Sequence, residues 1–349
     1  MNGVILFNPR SAEHKHRIPN SILQVGASIA GTREYVFVDG NRERDPWSTI
    51  EAYLATGRFR YFGSTVMPGP QLRQAIPFSK RVRERFPNVV IIWGGYFAAN
   101  QHTTVLRSGF VDHVIDGPGD TAFPELLRAL DAGTSVDHVR NLIHLKDGSI
   151  MRNAKEPLMD LDLLPPLPYQ HLDAHYPMRQ YLGRTFLGSR TIAYHSSFGC
   201  PFTCGFCAVV PIYKARWKGM SAERIHRDIL YLKQGWGADA IEFHDNNFFV
   251  SEKRTVEFAK LIGAKLIVVE PKDPAEWDNL EALVKEYDIR LAIHNHGKGT
   301  VYGDPATVPV LEPSDAQEAL EMTLRPALFS EFTGQARVRE RLEIAVTAA

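Results

Sequence analysis

The chain has 349 residues, with 40 basic and 40 acidic side chains, so its formal net charge at pH 7 is zero. A balanced chain has no bulk attraction to nucleic acid or to an anionic membrane, and we expect neither partner. No apolar stretch approaches the ~18 residues of a membrane span, and the apolar run Val4–Phe7 is too short for a secretory signal. These features predict a soluble, cytoplasmic protein of about two domains.

The first 140 residues alternate short apolar runs with amphipathic stretches. Ile18, Ile22, Val25 and Ile29 recur at helical spacing, and further helices are predicted over 72–86 and 121–132. The predicted strands are Val4–Phe7, Tyr35–Val38, Arg60–Gly63, Val89–Trp93 and His113–Ile115. This alternation predicts a doubly wound, flavodoxin-like α/β domain over residues 1–140, with its ligand at the carboxyl ends of the strands.

All three cysteines of the chain, Cys200, Cys204 and Cys207, lie within eight residues. Three thiolates can hold a four-iron cluster and leave one iron without a protein ligand, whereas electron-transfer clusters usually have four cysteines. An open iron can bind a substrate or cofactor, so the spacing indicates chemistry at the cluster. The alternative is three small buried apolar residues. The odd count argues against disulfides and for a reducing compartment.

The segment from Gly199 to Cys207 resembles the signature loop of the radical S-adenosylmethionine (SAM) enzymes. That resemblance implies that the three cysteines hold a [4Fe-4S] cluster whose open iron binds SAM. One electron from the cluster would then cleave SAM to a 5′-deoxyadenosyl radical, and an external flavodoxin or ferredoxin would supply the electron. By the same resemblance, Phe206 occupies the position that packs against adenine.

The loops that follow the N-terminal strands resemble those of the cobalamin-binding domain that precedes many radical SAM enzymes. The implied cobalamin-binding residues are Ser64, Thr65, Gly94, Gly95, Gly117 and Gly119, whose glycines would let the backbone approach a flat corrin. Asn41 stands where some cobalamin proteins carry a motif histidine, so no histidine from that position is expected on the cobalt. A domain without a ligand, or one with another nucleotide-like ligand, remains the alternative.

The second half begins with a proline-rich linker over 141–189 and continues as strand, helix, strand and helix over 190–262. Polar residues follow each strand, which is typical of a β/α barrel with its chemistry at the carboxyl edge. The resemblance to cobalamin-type radical SAM proteins covers about residues 2–262, and it implies that Asp245 and Asn246 lie near SAM. The alternative for these two residues is a helix-entry turn.

The remaining sequence resembles two other families. Residues 259–312 resemble the xylose-isomerase-like sugar-phosphate isomerases/epimerases, which predicts βα units over 263–313 and makes Glu270 and His294 weak metal candidates. Residues 315–349 resemble the extreme N-terminus of the Holliday-junction branch-migration ATPase, an AAA+ protein, and predict a helical tail over 314–349. The chain carries no phosphate loop of that ATPase. Either the chain is a composite (a gene fusion, an assembly artefact or a recombinant chimera) or it is one divergent protein.

The sequence therefore predicts an α/β protein with a cobalamin-type domain, a partial radical SAM barrel and a helical tail. The expected function is that of a cobalamin-type radical SAM enzyme, which performs methyl transfer or radical rearrangement on an unknown small-molecule or lipid-like substrate. The alternatives are a non-catalytic remnant or chimera that binds its cofactors without turnover, and a sugar-phosphate isomerase. Catalytic side chains are not identifiable from the sequence.

Overall fold

The structure is a computed structural model that describes residues 2–11, 17–185, 187–264, 266–269, 282 and 290–293. The chain divides into two compact units, Met1–Leu261 and Ile262–Ala349. Glu270, His294 and the predicted tail over 314–349 lie outside the described residues. The predictions for these residues, and the predicted domain boundaries, stay predictions.

A seven-stranded sheet forms the centre of the first unit. Five parallel strands lie in the order β2-β1-β3-β4-β5, and an antiparallel hairpin, β6-β7, extends the edge beside β5. This order confirms the predicted flavodoxin-like winding. The strands are β1 (Gly3–Asn8), β2 (Tyr35–Asp39), β3 (Phe59–Thr65), β4 (Val90–Gly94), β5 (His113–Ile115), β6 (Leu142–Lys146) and β7 (Ser149–Arg152).

Helices cover both faces of this sheet, so its central strands are apolar on both sides. Side chains of β1 show the division: Val4 and Leu6 pack in one core with α1 and α6, while Ile5 and Phe7 pack in a second core with α2 and α3. The helices are α1 (Asn20–Ile29), α2 (Pro46–Ala55), α3 (Leu72–Arg85), α4 (Tyr96–Asn100), α5 (His102–Arg107) and α6 (Ala122–Ala132).

The hairpin β6-β7 lies in the segment that the sequence reading treats as a linker. Its turn residues, Asp147 and Gly148, have φ values of 51° and 75°, as a type I′ turn requires. An Asp-Gly pair between apolar runs is a known hairpin signal, so the sequence did carry the information. Arg152 and Lys155 then form ion pairs with Asp116 at 2.9 and 2.7 Å, which join the hairpin and the segment after it to the end of β5.

The cysteine-bearing part of the first unit starts from a parallel pair of strands. After α7 (Tyr169–Asp173), β8 (Thr191–Tyr194) leads into the cysteine loop, and the chain returns through α9 (Ala222–Trp236) to β11 (Ala240–Phe243), which pairs with β8. Helix α10 (Glu252–Leu261) follows. Serines cap both helices, since Ser221 Oγ accepts from the Arg224 amide and Ser251 Oγ from the Arg254 amide.

A short antiparallel pair closes the base of the cysteine loop. Strand β9 (Ser197–Gly199) pairs with β10 (Trp217–Gly219), and the short helix α8 (Val210–Tyr213) lies between them. Gly199 has φ of 78°, and a Cβ built on it would lie 2.1 Å from the carbonyl oxygen of Arg216. Glycine is therefore required at the residue before Cys200.

In the second unit, β12 (Leu266–Val269) and β13 (Arg290–Ile293) form a parallel pair. Both strands fall within residues 263–313, for which the sequence predicts βα units. Among the described residues, every helix is too short or too polar to cross a lipid bilayer.

Candidate functional site

A cavity of about 1150 Å³ opens at the carboxyl ends of the parallel strands of the first unit. It is larger than the ~300–1,000 Å³ of ordinary ligand pockets. Residues of the doubly wound domain and of the cysteine-bearing part line it together. Eight residues that the sequence singled out are among them: Ser64, Thr65, Gly94, Gly95, Gly117, Gly119, Asp245 and Asn246.

One part of the cavity is apolar and reaches between the sheet and its helices. Leu6, Gly63, Ile92 and Ile115 line it from the strands, and Phe123 lines it from α6. A Cβ on Gly63 would lie 3.3 Å from Leu6 and 3.4 Å from Phe123, so this small residue keeps the space between them clear. An apolar slot of this kind suits a flat ring system better than a charged group.

The two glycines at the end of β4, Gly94 within the strand and Gly95 directly after it, have different functions. Gly95 has φ of 91°, and a Cβ there would lie 2.8 Å from the carbonyl oxygen of Val66, so the fold itself requires this glycine. Gly94 has no such constraint, because a Cβ would meet no atom within 4 Å. Since Gly94 lines the cavity, its bare backbone leaves room for a ligand to approach β4 closely.

Several polar atoms of the cavity wall are buried without a hydrogen-bond partner in the described structure. They include Ser64 Oγ, Asn20 Oδ1 and Asp120 Oδ1, and Ser64 is only 4% exposed. Buried polar atoms normally find a partner, because leaving one unpaired costs about 1–3 kcal/mol. Three such atoms on one cavity indicate a ligand rich in hydrogen-bonding groups.

Asp120 lies at the end of the Gly117–Asp120 turn. Burial raises the pKa of its carboxyl group to about 6, and Glu156 adds to the effect, although the nearby amide of Gln24 favours the ionised form. Asp120 directly follows Gly119, an implied cobalamin-binding residue, but the sequence did not single it out. Its unpartnered oxygen and raised pKa identify it as a carboxyl group held in a site that is poorly suited to charge.

Replacing Asp120 by asparagine is expected to stabilise the ligand-free chain at neutral pH by about 3 kcal/mol. The folded carboxyl group ionises near pH 6, whereas in the unfolded chain it ionises near pH ~4, so the folded state binds more protons between those values. Wild-type stability should therefore fall as pH rises through that window, and the variant should lack this component. Urea unfolding across the window measures it, and identical pH profiles for the two proteins would contradict the prediction.

Asn41, which stands where some cobalamin proteins carry a motif histidine, is part of a hydrogen-bonded network. The Asn41 side chain contacts Asp39 at 3.2 Å and accepts from the Ser11 amide at 2.9 Å. Asp39 is fully buried and also accepts from Asn8 and Tyr181, at 2.9 and 2.8 Å. Asn41 therefore reaches the cavity wall with its side chain already engaged in holding the end of β2.

The three cysteines are free thiols, with Cys204 exposed and Cys200 and Cys207 half-buried. None of them lines the cavity, although Ser197 and Phe198, just before Cys200, do. Phe206 between them is 94% exposed. In the described part of the chain, no three His, Cys, Asp or Glu side chains surround a position for a single metal ion. A four-iron cluster makes a different demand, because each thiolate binds its own iron, and metal binding itself commonly brings ligands together.

Asp245 lies at the end of β11 and contacts the start of the cysteine loop. Its carboxylate accepts from the amide and hydroxyl of Ser196, the latter at 2.9 Å, and from the hydroxyl of Ser197. Buried Arg254 donates to the Ser196 hydroxyl at 3.0 Å and lies over the Trp217 ring at 5.3 Å. This network holds the strand that leads into Cys200. Neither Ser196 nor Arg254 was found from sequence, since no motif links residues so far apart.

Helix α4, directly after Gly95, contacts the cysteine-bearing part at two points. The Tyr96 hydroxyl and the Asn246 amide form a hydrogen bond at 3.1–3.2 Å, and the Asn100 amide donates to the Ala208 carbonyl at 3.0 Å. Burial raises the pKa of Tyr96, and nearby Cys207 acts in the same direction. The loop after β4 and the cysteine loop are thus neighbours through α4.

Comparison with known proteins agrees with this geometry, although no family model matches the chain. An uncharacterized methyltransferase of Pyrococcus horikoshii is 29% identical over 174 residues, which are 49% of this chain and 36% of that protein. The hopanoid C-3 methylase of Methylococcus capsulatus is 26% identical over 196 residues, 54% of this chain and 35% of the methylase. The chain thus spans about a third of the length of these relatives.

Solved structures show the same architecture. The cobalamin-dependent SAM radical enzyme OxsB, with aqua-cobalamin and SAM bound, has a TM-score of 0.64 at 16% identity, over 84% of this chain and 49% of OxsB. The radical SAM methyltransferase TsrM of Kitasatospora setae, with cobalamin and a [4Fe-4S] cluster bound, has a TM-score of 0.60 at 15% identity, over 84% of this chain and 66% of TsrM. This chain therefore has the fold found in cobalamin-dependent radical SAM enzymes.

Proposed function

We propose that this chain is a cobalamin-type radical SAM enzyme that performs methyl transfer or radical rearrangement. The observation that carries the proposal is the shared cavity, because predicted corrinoid-binding residues such as Gly94 line it together with Asp245 and Asn246 beside the cysteine loop. Two cofactors that react with each other must meet in one space, and this cavity is lined by residues proposed for both.

The cysteine loop suits a cluster with one open iron. Cys200, Cys204 and Cys207 are the chain's full complement of thiols, and all three are unpaired. We propose that they bind the [4Fe-4S] cluster, and that Phe206, Asp245 and Asn246 form the wall beside SAM. Asp245 would act on SAM indirectly, since its carboxylate already accepts hydrogen bonds from Ser196 and Ser197.

The opposite wall suits a corrinoid. The bare backbone of Gly94 gives room for a flat macrocycle, and the unpartnered Ser64 Oγ and Asn20 Oδ1 can bond amide side chains around its rim. The apolar slot beside Gly63 would receive the flat heteroaromatic base at the end of a nucleotide tail. When bound, cobalamin supplies a cobalt centre that can carry a methyl group, and an external flavodoxin or ferredoxin would supply electrons.

Anaerobic reconstitution with iron, sulfide and hydroxocobalamin, followed by addition of SAM and a strong reductant, tests the proposal. We expect SAM to be consumed, with S-adenosylhomocysteine marking methyl transfer and 5′-deoxyadenosine marking radical cleavage. A reconstituted chain that holds both cofactors and consumes no SAM would favour the alternative of a binding protein without turnover. Failure to retain either cofactor would exclude the proposed function.

Enlarging Gly94 should weaken corrinoid binding without unfolding the protein. Gly94→Ala and then Gly94→Leu place one and four carbon atoms in the open space against β4, and the leucine variant is expected to bind hydroxocobalamin at least about tenfold more weakly. Equilibrium dialysis measures the affinity, and urea unfolding should show stability within about 0.5 kcal/mol of wild type. Undiminished binding by Gly94→Leu would show that the corrinoid does not lie against β4.

The resemblances to sugar-phosphate isomerases/epimerases and to the branch-migration ATPase do not contribute to the proposed function. The relatives and solved structures described above are methylases, methyltransferases and radical enzymes, and none is a sugar-phosphate isomerase or a branch-migration ATPase. The weak metal candidates Glu270 and His294 lie outside the described residues. A composite origin of the chain stays a prediction without support from these comparisons.

A further inference from the structure

Helix α4 lies at the boundary between the two proposed cofactor positions. Its first residue, Tyr96, directly follows the Gly94–Gly95 pair, and its last residue, Asn100, donates to the carbonyl of Ala208, which directly follows Cys207. The helix therefore touches both the sheet edge and the cysteine loop. Helix α4 therefore connects the end of β4 directly to the cysteine loop.

The turn before α4 is rigid. The Val66 amide donates to the Gly94 carbonyl at 2.8 Å, and the Phe97 amide donates to the Val66 carbonyl at 3.0 Å. Gly95 passes so close to Val66 that no side chain fits there. A ligand pressed against Gly94 would therefore restrain the position of Tyr96, because the intervening backbone has little freedom to absorb a shift.

Helix α4 also contacts both ends of the cysteine loop, one end directly and the other through Asn246 and Asp245. Asn100 holds Ala208 after the last cysteine. The Tyr96 hydroxyl holds Asn246, whose neighbour Asp245 accepts hydrogen bonds from Ser196 and Ser197 just before the first cysteine. Burial raises the pKa of Tyr96, so its hydroxyl keeps the proton that it donates.

We propose that Tyr96 is a positioning residue that couples the two cofactor sites, so that a corrinoid at Gly94 tightens SAM binding at the cysteine loop. The coupling rests on the proposed function, because it requires both cofactors to bind. Its physical basis is conformational: the corrinoid restrains Gly94, the stiff turn carries that restraint to the Tyr96 hydroxyl, and the hydroxyl restrains Asn246 and the strand end that leads into Cys200. A site ordered beforehand binds its ligand with a smaller entropy loss.

The test measures the dissociation constant of SAM with the reconstituted chain, in the presence and absence of hydroxocobalamin. In wild type we expect hydroxocobalamin to lower it by about 5–20-fold, and SAM must raise corrinoid affinity by the same factor. In Tyr96→Phe the ratio should fall to less than about twofold, although iron content and corrinoid affinity stay unchanged. With hydroxocobalamin present, Tyr96→Phe should need a higher concentration of SAM than wild type to change the EPR spectrum of the reduced cluster.

Tyr53→Phe is the matched control. Tyr53 packs its ring against Phe59, the first residue of β3, at the end of the sheet opposite to the cavity, so its loss of a hydroxyl should leave the coupling intact. Asn100→Ala provides a second variant, which removes the other contact and should also reduce the ratio. Unchanged coupling in Tyr96→Phe would overturn the inference, whatever the result for Asn100→Ala, and would leave the proposed function standing. A chain that binds neither cofactor would overturn both.

Discussion

Replacement of Cys204 by alanine is expected to abolish the iron–sulfur cluster. Reconstituted wild-type chain should contain about four iron and four sulfide per chain, with the broad visible absorption of a [4Fe-4S] centre. Because the chain has only three cysteines, removal of one leaves two protein ligands for four irons, and no other thiol can take its place. We expect the variant to lose nearly all of its iron and sulfide after gel filtration.

Thr203→Ala is the control for this experiment, because it shortens the neighbouring side chain of the same exposed loop and removes no thiol. It should keep the full complement of iron and sulfide. Retention of iron by Cys204→Ala would contradict the three-cysteine cluster. Preferential binding of zinc by wild type would do so too, since zinc would identify a structural thiolate site.

Gly199→Ala is expected to disrupt the cysteine loop while all three thiols remain. The new Cβ would lie 2.1 Å from the Arg216 carbonyl oxygen, on a residue whose φ of 78° already disfavours any side chain. The left-handed backbone and the overlap each cost about 1–3 kcal/mol, so the free energy of unfolding should fall by roughly 3 kcal/mol. The β9-β10 pair must separate to relieve the overlap, and we expect cluster content to fall with it.

Gly205→Ala lies in the same loop and provides the matched comparison. A Cβ there would meet no atom within 4 Å, and its backbone needs no positive φ, so both stability and cluster content should stay near wild type. Urea unfolding and iron analysis of the two variants measure their stability and cluster content. The comparison separates the effect of distorting the loop from the effect of replacing a glycine in it. Equal behaviour of Gly199→Ala and Gly205→Ala would show that the β9-β10 pair does not shape the cluster site.

The sequence alone was sufficient for the doubly wound domain and for the strand and helix on either side of the cysteine loop. Strand β1 is apolar from Val4 to Phe7 because both of its faces are buried. Helix α9 is recognisable from its capping serine, Ser221, and its regular apolar face. These signals involve residues close together in the sequence, so they can be recognised without knowledge of the fold. The hairpin β6-β7 was missed although its Asp147-Gly148 turn is also a local signal.

The alternation of strands and helices, the doubly wound sheet and the identity of the candidate cysteines followed from pattern and spacing in the sequence, which depend on neighbouring residues. Only the tertiary structure showed that a side chain at position 94 would face open space, whereas none fits at position 95. It also showed that Asp245 accepts hydrogen bonds from Ser196 and Ser197. It also placed the Tyr96 hydroxyl against Asn246, 150 residues away along the chain. Such contacts depend on how two strand ends and a short helix meet in space, and hydrophobic periodicity contains no information about side-chain contacts at that distance.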